Sequence, residues 1–181
     1  MARPLVILDR DGVINYDSRD YIKSVDEWRP IPGSLEAIAR LNAAGWRVAV
    51  ASNQAGIAHG YYSEADLKHI HTHMAAELAK AGGRIDLIVH CPHSPDAHCD
   101  CRKPAPGMLV EIGRRLGVDL AGVPFVGDKA SDVAAARAVG ARPLLVRTGL
   151  AERTAAALAI TPAVEVFPNL AAAADSLLGA N

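Results

Sequence analysis

Uninterrupted apolar runs alternate along this chain with segments whose apolar residues recur every three or four positions. Pro4-Leu5-Val6-Ile7-Leu8 is the first run, and a run without a polar face belongs in a strand covered on both sides. Similar runs at 46–51, 85–89, 123–126 and 143–146 predict four further strands, and 164–167 an edge strand. Between them the period lengthens. Leu35, Ile38 and Leu41 share a helical stripe that Ser34 can cap and Gly45 can end. Ser63 and Asp66 have capping-box spacing ahead of a helix that buries Leu67, Ile70, Met74 and Leu78. Pro106 suits the first turn of a helix carrying Leu109, Ile112 and Leu116 and stopping near Gly117. Helices are expected again from about 130 to 140, over the Ala-rich piece 151–160, and at 170–178. Repeated strand–helix units predict an α/β fold, a doubly wound parallel sheet that collects ligands at the carboxyl ends of its strands. No repeat or linker interrupts the pattern, so residues 1–181 are read as one domain.

The pattern fails over about twenty residues between Asp11 and Ser34, and loops of that length are usually lids or binding loops. This one holds Asp17, Ser18, Arg19, Asp20, Tyr21, Lys23 and Trp28. Composition narrows the classes further. Half of the 181 residues are apolar and 22% are charged, which excludes a disordered or fibrous chain. Nineteen Lys and Arg against twenty Asp and Glu, with no basic run, leave nucleic acid an unexpected partner. No stretch is long enough to cross a bilayer, and Met1-Ala2-Arg3-Pro4 lacks the character of a signal peptide. A cytoplasmic location is expected. Three cysteines within eleven residues are too few and too close to staple a secreted scaffold.

Polar residues gather where the strands are predicted to end. Asp9 and Asp11 follow the first strand; two carboxylates at that spacing suit a nucleophile and a general acid, or an ordinary turn. Ser52, Asn53 and Gln54 follow the second and offer neutral donors to a phosphoryl oxygen, or again a turn. After the third come Cys91, His93, Cys99 and Cys101, three thiolates and an imidazole that fill a tetrahedral structural zinc site. His90 and His98 flank that loop and could compete with His93, whereas His69, His71 and His73 cannot share one helical face and are expected on a flank or the surface. Arg102 and Lys103 adjoin the cysteine loop and can bind phosphate as a fork and a point charge. Asp128 follows the fourth strand, positioned to meet Asp9 in an oxygen site for Mg²⁺, with Lys129 beside it and Asp132 one helical turn on as outer support.

In that order, Asp9-x-Asp11, Ser52, Lys103 and Asp128 with Asp132 resemble the four motifs of the haloacid-dehalogenase superfamily of phosphotransferases, from Leu5 to about Thr148. Asp9-Arg10-Asp11-Gly12, Ser52-Asn53-Gln54, Cys91-Pro92-His93 and Cys99-x-Cys101-Arg102-Lys103-Pro104 are similar to its small zinc-containing branch, which acts on heptose bisphosphate or histidinol phosphate. Pro106-Gly107-Met108-Leu109 and Gly127-Asp128-Lys129 look like the heptose group. The resemblance implies a fold without a large cap domain and removal of a sugar's C7 phosphate in heptose activation for lipopolysaccharide; a monomer is expected. Asp9 would be the nucleophile and Asp11 the acid and base, with Ser52 and Lys103 on the reacting phosphate. Mg²⁺ would bind Asp9, the Asp11 carbonyl and Asp128. Arg102 and Lys129 would take the second phosphate, and Asn53, Gln54 and Asp17 to Asp20 the sugar. His59 stands where the family often has Arg. A phospho-receiver would need its aspartate after the third strand, where Cys91 stands, and an inactive zinc-stabilised binding protein would not need this full acidic and basic set.

Overall fold

Val6 and Leu8 point to one face of a central sheet, while Leu5 and Ile7 point to the other, so one short strand feeds two separate cores. Val48 and Val50 join the first core, Ala49 and Ala51 the second. That division explains why the sequence shows unbroken apolar runs rather than alternation. The computed structural model describes residues 3–160 and 163–179.

Its elements run β1 Leu5–Leu8, α1 Ser34–Ala43, β2 Arg47–Asn53, α2 Glu64–Lys80, β3 Leu87–Cys91 and α3 Gly107–Leu116. They continue as β4 Pro124–Gly127, α4 Ala130–Ala138, β5 Arg142–Val146, α5 Ala151–Ile160, β6 Glu165–Phe167 and α6 Leu170–Gly179. The six strands pair in parallel in the order β3-β2-β1-β4-β5-β6. The chain leaves β1 in one direction and returns to its other side with β4, and that reversal opens a crevice beyond the two strand ends. α1, α2 and α6 cover one face, α3 and α4 the other.

Three local expectations change. Ser34 is the first helical residue rather than the cap: Gly33 takes the cap position in the left-handed region, and Ser34 Oγ donates to the Ile14 carbonyl at 2.6 Å. β3 lies two residues later than its apolar run suggests, because pairing with β2 sets its register and matches Asn53 with Cys91. The long loop is anchored at its base. Ile31 N–H donates to the Ile14 carbonyl, and Ile14, Ile22 and Trp28 are buried in the first core. Only its tip is left to act at the crevice.

Candidate active site

The reversal point brings Asp9 and Asp128 together. Asp9 follows β1 and its N–H donates to the Val126 carbonyl on β4, so the two strand ends are tied before any side chain acts. Glycine makes the approach possible. Gly12 has φ +85, and a Cβ there would lie 2.5 Å from Asp128 Oδ2; one at Gly149 would overlap the same oxygen.

Both ammonium groups of the site face these acids. Lys103 Nζ stands 3.1 Å from Asp9 Oδ1, 2.7 Å from Asp132 Oδ1 and 2.8 Å from the Ala51 carbonyl it donates to. Lys129 Nζ stands 3.2 Å from Asp128 Oδ1, 3.5 Å from Asp17 Oδ2 and 3.6 Å from Asp9 Oδ2. Burial opposes the charge on Asp9, but Lys103 and Lys129 outweigh it and hold the carboxyl below its ordinary range. The same burial acts against Lys103, which Asp132 and Asp9 keep protonated above its usual value. Asp9 is therefore held as an anion.

Asp128 is different. Fully buried, with Lys129 Nζ 3.2 Å from Oδ1 and no partner on Oδ2, it is pushed up to about 8 chiefly by desolvation, against the pull of Lys129. A buried carboxylate paired on one oxygen only is costly unless a further cation completes it. Among the described residues, Asp9, Asp128 and Asp132 form an acidic cluster able to hold a metal ion. Asp132, however, spends Oδ2 on the N–H groups of Asp128 and Lys129 and Oδ1 on Lys103. The residues fit a hard divalent cation at Asp9 and Asp128, with Asp132 as outer support.

A second cluster joins Cys91, His93, Cys99 and Cys101. Cys99 Sγ lies 3.7 Å from Cys91 Sγ and 3.6 Å from Cys101 Sγ, close to the roughly 3.8 Å edge of a tetrahedron with zinc–sulfur bonds of about 2.3 Å. His93 Nδ1 is 3.5 Å from Cys91 Sγ and 3.3 Å from Cys101 Sγ. The Cys91–Cys101 edge, at 2.9 Å, would have to open. Burial and the neighbouring sulfurs push Cys101 up to about 12, so a thiolate there requires a cation to hold it. His90 turns away to Glu64, 2.8 Å from its carboxylate, and does not compete.

The open part of the site is a cavity of about 440 Å³. Asp11, Asp17, Ser18, Arg19, Asn53, Gln54, Arg102, Lys103 and Lys129 line it, as the sequence suggests. Asp20 does not: its N–H folds back to Ser18 Oγ and it borders a separate hollow. Asn53 and Gln54, expected to face a sugar, also have structural duties. Asn53 Oδ1 accepts from Lys103 N–H and its Nδ2 donates to the Lys103 carbonyl, both at 3.1 Å. Gln54 Nε2 donates to Asp11 Oδ2 at 3.1 Å and to Ser52 Oγ at 2.7 Å, while Tyr62 Oη donates to its Oε1. Ser52 lies buried, accepting from Gln54 and free to offer its own hydrogen. Lys129 is held beside Asp9, Asp17 and Asp128, which leaves Arg102 as the better candidate for a remote anion.

Several contacts were not foreseen. Arg153 on α5 reaches Asp17 at 3.0 Å and Arg19 reaches Glu152 at 2.8 Å, two ion pairs that fasten the loop tip to α5. Tyr21 takes φ +65 at the cavity wall and packs near Tyr61 and His59, with ring centroids 5.3 and 6.0 Å away. Arg10 is completely buried. An Arg between two Asp residues reads as a surface charge by default, so although Arg10 belongs to the Asp9-Arg10-Asp11-Gly12 motif, nothing in the sequence assigns it a role.

The HAD-hydrolase-like family matches residues 100–173. A D-glycero-beta-D-manno-heptose-1,7-bisphosphate 7-phosphatase from Pseudomonas aeruginosa is 57% identical over 178 residues, covering 98% of this chain and 99% of that protein. One of the same name from Bordetella bronchiseptica is 51% identical, covering 96% of this chain and 97% of that protein. Among solved structures, D,D-heptose 1,7-bisphosphate phosphatase from B. bronchiseptica, complexed with magnesium and phosphate, superposes with a TM-score of 0.94 at 50% identity. That match covers 98% of this chain and 99% of the other.

Proposed function

Because the chain belongs to the haloacid-dehalogenase-like hydrolases, in the group of D-glycero-β-D-manno-heptose-1,7-bisphosphate 7-phosphatases, we propose that it removes the C7 phosphate of that β-configured sugar bisphosphate. The near end-to-end 57% identity carries this reading, and the buried Asp9 between two ammonium groups agrees with it. Asp9 attacks the phosphorus while Asp11 gives its proton to the departing sugar oxygen. Asp11 then takes a proton from the water that breaks the aspartyl-phosphate. Lys103 and Ser52 hold the transferring oxygens. Bound to Asp9, the Asp11 carbonyl and Asp128, magnesium would supply charge that offsets the repulsion between carboxylate and phosphate. A phosphate-release panel with both heptose bisphosphate anomers and histidinol phosphate tests the assignment. Preference for histidinol phosphate would overturn it.

Zinc in the Cys91, His93, Cys99, Cys101 cluster would stiffen the loop that presents Arg102 and Lys103. Metal analysis should find one zinc per chain, retained when mild chelation removes magnesium. Purified protein without zinc would sink this site. Cys99→Ser should loosen the loop and lower activity although no sulfur touches substrate.

Arg102 carries the remote phosphate in this reading. A contact to a group that does not react persists from ground state to transition state and appears mainly in KM. Arg102→Ala should therefore raise KM for the bisphosphate about tenfold and leave a simple monophosphate nearly unchanged. Equal losses on the two substrates would move Arg102 to the reaction centre.

A further inference from the structure

Asp11 has two unequal oxygens. Oδ1 accepts Arg10 Nε at 2.9 Å, Arg10 Nη2 at 2.8 Å and Asn15 Nδ2 at 2.9 Å. Oδ2 accepts one bond, from Gln54 Nε2 at 3.1 Å. Three donors, two of them charged, saturate Oδ1 and make it a poor place to load a proton. Oδ2 is the oxygen left for chemistry in a side chain that keeps 16% exposure.

Arg10 can hold this posture only if its own fork is held. Its Nη1 lies 3.2 Å from His71 Nε2 on α2. Arginine has no acceptor, so His71 must present a lone pair at Nε2. Burial first, then the positive charge of Arg10, drives the His71 imidazole down to about 3, so it is neutral and able to accept. A histidine on a helix outside the substrate cavity thus completes a guanidinium inside the catalytic turn.

We infer that Arg10, braced by His71, is a positioning residue that commits Asp11 Oδ1 to the protein and aims Oδ2 at the leaving oxygen. This rests on the acid and base role proposed for Asp11. In the first half-reaction the Oδ2–H bond breaks as the phosphorus–oxygen bond to the sugar breaks, and the proton ends on the sugar oxygen. In the second, Oδ2 takes a proton from water as the water oxygen bonds to phosphorus and the Asp9–phosphorus bond breaks. A carboxylate free to rotate would serve both steps less often, with binding unaffected.

His71→Leu removes the acceptor, and His71→Gln replaces it with an amide oxygen. With heptose bisphosphate, His71→Leu should lower kcat about tenfold with KM within twofold of the parent, and His71→Gln should recover to within threefold. With 4-nitrophenyl phosphate, whose leaving group departs without a proton, the first-turnover burst should stay within twofold in both variants. A burst that falls as much as kcat, a change confined to KM, or no recovery in His71→Gln would overturn the inference. Should His71→Leu fail to fold, Arg10→Lys supplies the same comparison: it keeps a charge but loses the fork, and must lose kcat with the burst preserved. Asp11→Asn separates this failure from that of the proposed mechanism. If Asp11→Asn also loses the burst, the acid and base role falls; if only the His71 and Arg10 variants do, the positioning alone falls.

Discussion

Asp9→Asn should fold at least as well as the parent and lose about 10⁴-fold or more in kcat. An amide is a poor nucleophile, and removal of a nucleophile leaves only what binding and charge stabilisation contribute. The fold should survive because the substitution removes a charge from a crowded site. Each ammonium group has acids besides Asp9: Asp132 stands 2.7 Å from Lys103, and Asp128 and Asp17 stand 3.2 and 3.5 Å from Lys129. With Asn at position 9, Asp17, Asp128 and Asp132 still face the two cations. Thermal unfolding without magnesium should show no drop. Acid-quenched parent should carry phosphate on Asp9 after mixing with substrate, and the variant none. Turnover within tenfold of the parent would remove Asp9 as the nucleophile.

Much of this site was legible because strand ends in a parallel sheet converge, whatever the surrounding residues do. Asp9, Asp128 and the Ser52-Asn53-Gln54 turn needed only the apolar runs before them to be located. The cysteine loop was legible for another reason: its four candidate ligands are local, so spacing alone brings them close. Long-range partnerships were not. Arg10 and His71 are sixty-one positions apart, and neither an Asp-Arg-Asp turn nor a His-x-His-x-His run announces that pairing. The same holds for Asp17 with Arg153, joined across the chain by α5 docking. Asn53 and Gln54 were read as sugar contacts from the family resemblance; their partners on Lys103, Asp11 and Tyr62 come from elements that only the tertiary structure brings near.

Lys103→Met should be the most informative loss after Asp9. Methionine keeps much of the length and none of the charge, so Asp9 Oδ1 and Asp132 Oδ1 would lose the ammonium at 3.1 and 2.7 Å. Removing one partner from a buried ionic group costs about 3–5 kcal/mol. For a chain of this size that is about 10 °C in melting temperature. The reacting phosphate also loses a fixed cation, so kcat should fall about 10³-fold on bisphosphate and monophosphate alike. Magnesium separates these effects. Lys103 repels a divalent cation at Asp9, so its removal should tighten magnesium binding, and ligand linkage should make the rise in melting temperature on adding magnesium larger than in the parent. Activity would fall while metal affinity rises. If magnesium binding instead weakens in step with kcat, Lys103 acts by supporting the metal site, and its direct hold on the phosphoryl oxygens would have to be abandoned.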